Sequence, residues 1–331
     1  MNSLPFNEYS EENSMQKPLV NVIMPAYNAQ EYIAEALKSV MAQDYPNIKI
    51  YVVNDCSTDQ TLSVIQKNVS GDQRVTVIDL EKNGGPTHAR NCALGVIDGE
   101  FFTFVDSDDR VEKDHVSTLM EMMSDDCVLA TSGMKQQKRS KKDFKQKQGK
   151  VTSFTIADAK REVVGDRTFS AFSCSKIYRR SICGDLRFSD NIQLCEDTVF
   201  CLEYLTRANY GRVYYTTKRT YHYFRTKGSL SGLTCSEKKF NGISVLKQKV
   251  YEVRQRECED KELVSRINAW WFLMQLQFML YARKLKKKAE KKQFVVEAKT
   301  YKKDFKKQRK NFIAPYRRFG GLLFSLMRIF L

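Results

Sequence analysis

The sequence has little of what marks several protein classes. It contains only fifteen glycines and six prolines in 331 residues, which excludes collagen-like and low-complexity chains. Its nine cysteines form no CxxC pair and are odd in number, so we expect neither a disulfide framework nor a zinc ribbon. Reduced thiols in a cytosol are the better interpretation. With 42% hydrophobic and 28% charged residues, the chain is predicted to be globular, with either one large domain and an appendage or two modest domains.

Long apolar runs are also missing. Residues 1–17 lack the basic start and apolar core of a secretory signal, and we expect a loose tail there. The apolar segment 269–282 is too short to span a bilayer, which takes about 20 residues. We therefore predict helices over residues 241–310, in which this segment is a buried or interfacial helix. It would either cover the rest of the protein or form a subunit interface.

Positive charge is concentrated towards the C-terminus. The chain has a net charge of +16, and residues 283–331 hold seventeen Lys and Arg against three acidic residues, a net of +14. A basic helix followed by the apolar segment 319–331 is typical of a region that lies on an anionic membrane surface. The alternative is a solvated helix whose apolar end packs on the body of the protein, or on another subunit of a homo-oligomer.

Nucleic acid is the other polyanion that such a region could bind. The sequence has no zinc-finger spacing and no aromatic RNA-recognition signature. Its excess positive charge is mostly lysine, without the arginine clusters that read bases. We therefore expect no nucleic-acid partner.

The first half of the chain alternates strand and helix patterns. Runs of apolar residues, many of them β-branched, predict strands at residues 19–24, 48–53, 75–80 and 101–105. Helical periodicity follows the first two strands, with capping patterns that begin at Asn28 and at Ser57, and a third helix is expected from Pro86. This alternation predicts an α/β protein with a mainly parallel sheet, helices on both faces, and ligands beyond the carboxyl ends of the strands.

The strand ends carry acidic residues in place of glycine-rich phosphate loops. The turn after the first strand reads PAYNAQ, without the glycines of G-x-G-x-x-G, and no P-loop motif occurs. Asp55 follows the second strand, and Asp106, Asp108 and Asp109 follow the fourth. Neighbouring carboxylates repel one another unless a cation compensates them, and Mn²⁺ or Mg²⁺ suits such ligands. We predict Asp106 and Asp108 as metal ligands; a solvated acidic turn is the alternative.

Three segments carry a family resemblance. In order, VNVIMPAYN, IYVVNDCSTDQT and NGGPTHARNCALGVIDGEFFTFVDSDD resemble the inverting family 2 glycosyltransferases. The segments SKIYR, LRF, EDTVF and YHYFR extend the resemblance to about residue 232, and Cys174 departs from the aromatic residue that many members carry there. The resemblance implies a GT-A fold over residues 18–240, with a nucleotide-binding half up to 124 and an acceptor half from 125. A basic helical region, 241–331, follows.

The resemblance also implies which residues contact the donor. The nucleotide and its diphosphate would be contacted by Pro25, Tyr27, Asp55, Gly84, Arg90 and Asp106. Lys176 and Arg225 are further candidates to bind the diphosphate or the acceptor, and His222 to bind the diphosphate or the metal. For Lys176 and Arg225 a plain surface position stays open, and for His222 a packed or surface position does. His115, in a helical pattern, is expected on a solvated face.

The resemblance also implies which residues bind the metal and which residue is the catalytic base. The resemblance implies that Asp106 and Asp108 hold Mn²⁺ or Mg²⁺ and that Asp197 takes the proton of the acceptor hydroxyl. The metal carboxylates must stay ionised, whereas partial burial should move the pKa of the base towards neutrality. Glu196, next to Asp197, is the alternative base.

The activity implied is metal-dependent, inverting transfer of a sugar from a nucleotide-diphosphate donor, most simply a UDP-sugar, to a hydroxyl of a growing glycan. The glycan would belong to lipopolysaccharide, capsule or another surface polysaccharide, and the acceptor is expected to be lipid-linked. Such an acceptor lies at a membrane, so we expect a cytoplasmic protein held peripherally on the inner face of the cytoplasmic membrane. The alternative is a catalytically silent membrane-surface or assembly protein on a transferase scaffold.

Overall fold

The computed structural model describes residues 17–137, 149–165, 168–192, 194–224, 241–284 and 287–316. The first part alternates strands and helices, as the sequence predicts. Its elements are β1 (Val20–Ala26), α1 (Ile33–Met41), β2 (Ile48–Asn54), α2 (Thr61–Val69), β3 (Val75–Asp79), α3 (Pro86–Leu94) and β4 (Phe101–Phe104). The four strands run parallel in the order β3-β2-β1-β4. Their carboxyl ends therefore lie at one edge of the sheet.

The next part of the chain extends the same sheet to nine strands within the described residues. Its elements are β5 (Arg110–Val111), α4 (His115–Met120), β6 (Cys127–Gln137), β7 (Val151–Thr155), α5 (Ile156–Gly165), β8 (Lys176–Arg179), α6 (Arg180–Cys183), α7 (Glu196–Arg207) and β9 (Arg212–Phe224). Strand β8 is antiparallel to both β4 and β6, while β6 and β9 are parallel. Each antiparallel pair includes at least one strand beyond residue 105, where the alternation that predicts a parallel order ends.

Strand β1 continues through Pro25, although the sequence predicts that the strand stops there. Proline has no N–H to donate to a ladder. The oxygen of Ile23 accepts a hydrogen bond from the N–H of Val105 at 3.0 Å, so the odd-numbered residues of β1 face β4. Because β4 ends at Phe104, the side that Pro25 faces is no longer paired, and the missing N–H is tolerated.

Neither predicted capping pattern is used. Helix α1 begins at Ile33 and α2 at Thr61, and neither has a side-chain cap hydrogen bond. The Asn28 Oδ1 atom accepts instead from the N–H of Thr58 at 2.8 Å, and the N–H of Asn28 donates to Ser57 Oγ at 3.1 Å. These two bonds join the loops that follow the neighbouring parallel strands β1 and β2, whose carboxyl ends lie at the same edge of the sheet.

The sheet is covered on both faces. Ile23 belongs to one buried cluster, while its neighbours Val22 and Met24 belong to another. Successive side chains of a strand point to opposite faces, so the two clusters lie on the two faces. This is the layered α/β arrangement that the sequence predicts.

Three helices form the C-terminal part: α8 (Ile243–Arg256), α9 (Lys261–Lys284) and α10 (Lys288–Tyr316). The apolar segment 269–282 lies in α9, where Trp271 and Phe272 are buried. One apolar cluster runs from Phe102 in β4 to Phe305 in α10. The helical region therefore packs on the α/β body, which is the first of the two predicted arrangements for this segment.

Helices of the described ranges are all too short or too polar to meet the length and hydropathy that a membrane span requires. Residues 1–16 of the predicted tail and the apolar end 319–331 lie outside the described residues. The proposed division at residue 240 stays a prediction.

Candidate functional site

Asp55 is buried at the end of β2 and holds the glycine loop before α3. Its Oδ1 accepts from the N–H of Gly84 at 2.9 Å, and its Oδ2 accepts from the N–H of Gly85 at 2.7 Å. Gly85 has a φ of 91°, a conformation that favours glycine. At Gly84 a Cβ atom would lie 2.4 Å from the ring of His88. Two predicted nucleotide contacts, Asp55 and Gly84, thus form one tightly fixed loop.

Pro25 lies near the end of the neighbouring strand β1, and Tyr27 directly follows the strand. Pro25 is buried, whereas the side chain of Tyr27 is 48% exposed. An exposed aromatic ring offers a flat apolar face with a polar tip. At the carboxyl edge of the sheet, this ring is available to a base or ribose.

The acidic turn after β4 contains carboxylates in different surroundings. Asp109 is buried; its Oδ2 accepts from the hydroxyl of Tyr221 at 2.9 Å and its Oδ1 from the N–H of Phe224 at 2.8 Å. Burial, and then the charges of Asp106 and Asp108, raise the pKa of Asp109 well above its usual value. Asp109 therefore ties the turn to β9, a role that the sequence does not reveal. Asp106 and Asp108 remain partly exposed.

Asp106 and Asp108 are the predicted ligands of a divalent ion, and two carboxylates make only a partial ligand set. No group of three His, Cys, Asp or Glu residues in the described ranges is placed to hold a metal by itself. One or two carboxylates, completed by substrate phosphates and water, are the usual ligands of Mg²⁺ in nucleotide sites. The two carboxylates therefore fit Mn²⁺ or Mg²⁺ shared with a diphosphate, and they do not form a closed structural site.

Arg90 connects the acidic turn to the start of α7. Its Nη2 donates to Asp106 Oδ1 at 2.8 Å, and its Nη1 lies 3.6 Å from Asp197 Oδ1. The guanidinium also lies over the ring of Phe188, 5.3 Å from its centroid. Burial alone would lower the pKa of Arg90, but Asp106, Asp197 and Glu196 outweigh it and raise the pKa. The sequence predicts that Arg90 reaches the nucleotide; here it joins the predicted metal ligand to the predicted base.

Glu196 and Asp197 form the first turn of α7. Cys195, just before them, has a φ of 63° and turns the chain into the helix. Burial raises the pKa of Asp197, the charge of Asp106 adds to this, and Arg90 opposes it. Burial, and then the charge of Asp197, raise the pKa of Glu196 to about 7. Both carboxylates thus have the raised pKa expected of a general base.

Asp197 differs from Glu196 in its contacts. No side chain or N–H group of the described ranges donates a hydrogen bond to its Oδ1, although that atom is buried and lies near Arg90. This oxygen is ion-paired with Arg90 but keeps unused capacity to accept a hydrogen bond. Asp197 therefore stays the predicted base and Glu196 the alternative.

Lys176 and His222 are engaged inside the protein. The Nζ atom of Lys176, which is buried in β8, donates to the backbone oxygens of Ser170 and Phe172 at 2.6 and 2.7 Å. His222 is buried in β9 with its Nε2 2.5 Å from Glu112 Oε1. His222 thus has the packed position that is the alternative to a nucleotide contact, and Lys176 is not on the surface. Nucleotide contacts for both stay predictions, and Arg225 lies outside the described residues.

His115 contradicts the expectation of a solvated face. The residue is buried, and its Nδ1 lies 2.7 Å from Thr220 Oγ1. Burial lowers its pKa to about 3, so it is neutral at ordinary pH. Helix α4 packs on the strands β6, β8 and β9, and charged neighbours in the sequence do not show which face of a short helix is buried.

Comparisons with known proteins identify relatives of this chain. A family model described as "Glycosyl transferase family 2" matches residues 21–187. The chain is 42% identical over 118 residues to the putative teichuronic acid biosynthesis glycosyltransferase TuaG of Bacillus subtilis, covering 35% of this chain and 47% of that protein. It is 34% identical over 214 residues to the poly(ribitol-phosphate) beta-N-acetylglucosaminyltransferase TarS of Staphylococcus aureus, covering 60% of this chain and 35% of that protein. The chain thus spans between a third and a half of these relatives' length.

Solved structures show the same fold. The crystal structure of S. aureus TarS 1–349 in complex with UDP-GlcNAc has a TM-score of 0.64 at 23% identity, covering 90% of this chain and 89% of that one. The mannosyltransferase PcManGT from Pyrobaculum calidifontis, in complex with GDP-Man and Mn²⁺, has a TM-score of 0.52 at 15% identity, covering 89% of this chain and 87% of that one. These likenesses confirm the predicted α/β fold.

Proposed function

The chain belongs to glycosyltransferase family 2, and from this premise we propose that it moves a sugar from a UDP-sugar to a hydroxyl group of a growing cell-surface polysaccharide. One observation carries the proposal: Arg90 lies between Asp106 at the acidic turn and Asp197 at the start of α7. A group that binds a leaving diphosphate and a group that accepts a proton are thereby held side by side. The two halves of a displacement reaction need this arrangement.

The donor would lie along the carboxyl edge of the sheet. Tyr27 offers its exposed ring to the base, and the loop fixed by Asp55 offers close backbone approach at Gly84. Asp106 and Asp108 would hold Mn²⁺ or Mg²⁺ at the diphosphate. When bound, such an ion supplies positive charge to the departing diphosphate.

The acceptor hydroxyl would be activated by Asp197. Its raised pKa brings the carboxylate closer to the working pH, where proton transfer is most effective. The hydroxyl oxygen bonds to the anomeric carbon as the bond to the diphosphate oxygen breaks, and its proton passes to Asp197. Attack from the face opposite the leaving group inverts the anomeric configuration.

The surface-polysaccharide class of acceptor is supported by the names of the relatives. These refer to teichuronic acid and to poly(ribitol-phosphate), both of them polymers. Because the chain covers only part of these proteins, the acceptor and its linkage belong to the proposal. A lipid-linked intermediate is the acceptor that we propose.

A position on the inner face of the cytoplasmic membrane is supported by α10. Its inward side carries Phe294 and Phe305, which are buried in the apolar cluster. Its outward side carries the exposed residues Lys291, Lys292, Lys299, Lys303, Lys306 and Lys307. Each lysine near an anionic surface contributes about 1 kcal/mol. This face would hold the enzyme next to a lipid-linked acceptor.

A donor panel tests the proposed function. Nucleotide release is measured from UDP-, GDP- and dTDP-linked sugars, each with Mn²⁺, with Mg²⁺ and with EDTA. We expect release from a UDP-sugar that needs the metal and stops in EDTA. Release from no donor under any condition would instead support the silent scaffold.

A further inference from the structure

A groove lies between the helices α8, α9 and α10, apart from the residues of the proposed active site. Its volume is ≈ 620 Å³, within the roughly 300–1,000 Å³ that is typical of small-molecule sites. Among its lining residues are Ser244, Lys247 and Tyr251 of α8, Gln275 of α9, and Gln293 and Glu297 of α10. The proposed function leaves this groove without a role.

Gln275 lies at the base of the groove and is 1% exposed. Neither its Oε1 nor its Nε2 has a hydrogen-bond partner among the residues that the structure describes. Its chain neighbours Met274 and Leu276 are buried and apolar. Buried polar side chains almost always have partners, and leucine would fit this stretch of helix without the cost of an unpaired amide. An amide at this place indicates a partner that enters the groove.

The walls favour an uncharged partner. Glu297 Oε1 accepts from Lys247 Nζ at 2.6 Å and from Gln293 Nε2 at 3.1 Å. The lysine of the groove is thus already paired with a carboxylate, so the walls offer little to a phosphate. Amide, hydroxyl and carboxylate groups can all bond to sugar hydroxyls.

Tyr251 adds an aromatic face to these polar groups, since its side chain is 54% exposed. An aromatic ring packs against the C–H face of a sugar ring, while its hydroxyl remains free to bond to water or ligand. A flat ring beside convergent hydrogen-bonding groups is a combination that suits a pyranose.

The floor of the groove is in contact with the segment that carries the proposed catalytic base, Asp197. Met274, next to Gln275 in α9, has its Sδ atom 3.5 Å from the Sγ atom of Cys195. Cys195 immediately precedes Glu196 and Asp197. One helix therefore contacts both the groove and the turn that carries the candidate base.

We propose that the groove between α8, α9 and α10 is a second saccharide site, which holds a neutral sugar unit of the glycan away from the reaction centre. The amide of Gln275 bonds to hydroxyl groups of the sugar, and Tyr251 packs on its ring. That the sugar belongs to the glycan substrate rests on the proposed function, whereas the binding itself does not.

The test uses the full chain and three neutral probes: maltohexaose, cellohexaose and chitohexaose. Saturation-transfer NMR titrations are run on the wild type, on Gln275→Leu and on Tyr251→Ala. Tyr210→Ala is the matched control, because Tyr210 is 74% exposed and lies outside the groove. UDP binding is measured on all four proteins by calorimetry.

We expect at least one probe to bind, with an affinity lowered about tenfold or more in both groove variants and unchanged in Tyr210→Ala, as the loss of one or two ligand contacts implies. UDP binding should be the same in all four proteins. Binding of no probe would overturn the inference, and so would probe binding that neither groove variant affects. If the groove holds only water, no probe should bind, and the melting temperature of Gln275→Leu should be higher than that of the wild type. Saccharide binding without UDP binding would overturn the proposed function and leave the groove assignment standing.

Discussion

Arg90 and Asp197 come from different helices, α3 and α7, yet Nη1 of the first lies 3.6 Å from Oδ1 of the second. The other guanidinium nitrogen of Arg90 bonds to Asp106 at 2.8 Å. A buried guanidinium with a fixed fork holds two carboxylates better than a lysine would. The charge state of the predicted base is therefore coupled to the place where the donor diphosphate is expected.

Replacing Arg90 should change the pH dependence of transfer. Arg90 lowers the pKa of Asp197, while burial and Asp106 raise it; Lys176 also lowers it, and Glu196 lies beside it. With Arg90→Lys, part of the opposing interaction is lost, so the pKa of Asp197 rises further. A base works only when ionised, so the acidic limb of the kcat/KM profile should move to higher pH.

The measurement is the pH–rate profile of wild type and Arg90→Lys, with melting curves to confirm folding. Arg90→Gln is the stronger variant, and it should also lose about 3–5 kcal/mol of stability because it leaves two buried carboxylates without their cation. An acidic limb that does not move would contradict the electrostatic role of Arg90.

Asp197 and Glu196 can be separated by conservative amide substitutions. Asp197→Asn should lower transfer about 100- to 10,000-fold, the usual contribution of a general base, and should leave UDP binding intact. Glu196→Gln removes a negative charge that interacts with Asp197 but leaves the predicted base in place. Its loss of transfer activity should therefore be smaller than that of Asp197→Asn. Single-turnover transfer assays on both variants measure this, and the reverse order would make Glu196 the base.

Gly84→Ala tests the close approach in the loop held by Asp55. The new Cβ would lie 2.4 Å from the His88 ring, so the loop must move and UDP binding should weaken about tenfold or more. The double variant Gly84→Ala/His88→Gly removes the ring and also the His88 Cβ, which would lie 2.6 Å from the new atom, and it should recover most of the affinity. His88→Gly alone is the control, and calorimetric titration with UDP is the measurement. A double variant as weak as the single one would show that space at Gly84 is not the cause.

Binding to membranes should depend on salt. The exposed lysines of α10 would interact with anionic lipid through screened charges, so flotation with phosphatidylglycerol vesicles should fall between 50 mM and 500 mM salt. Replacing Lys299, Lys303 and Lys306 by glutamine should lower the binding, while transfer to a soluble acceptor survives. Equal flotation with neutral phosphatidylcholine vesicles would argue against an electrostatic surface.

Local patterns in the sequence predict the secondary-structure elements of the first part of the chain, from β1 to β4. Strand–helix alternation gives the order of the first seven elements, and the positions of Asp55 and Asp106 after strands place both at one edge of the sheet. The capping patterns at Asn28 and Ser57 fail because contacts between loops replace the local bonds.

Contacts between distant segments could not be predicted in the same way. No spacing shows that Asp109 bonds to Tyr221, or that Arg90 reaches Asp197, because those pairs form only when β9 and α7 pack in place. The signal for Asp109 is present in the sequence only as a third aspartate in DSDD. Its burial, which sets its different role, is a property of the folded protein.

We propose that Asp106 and Asp108 bind a donor diphosphate through a divalent ion, and calorimetric titration with UDP is the decisive experiment. The titration is run with Mn²⁺ and with EDTA on the wild type, on Asp108→Asn, and on Asp126→Asn as a control carboxylate at the surface. We expect Mn²⁺ to tighten UDP binding about tenfold or more. Asp108→Asn should abolish this gain in affinity, and Asp126→Asn should keep it. UDP affinity that is equal with Mn²⁺ and with EDTA, or a gain that persists in Asp108→Asn, would contradict the proposal.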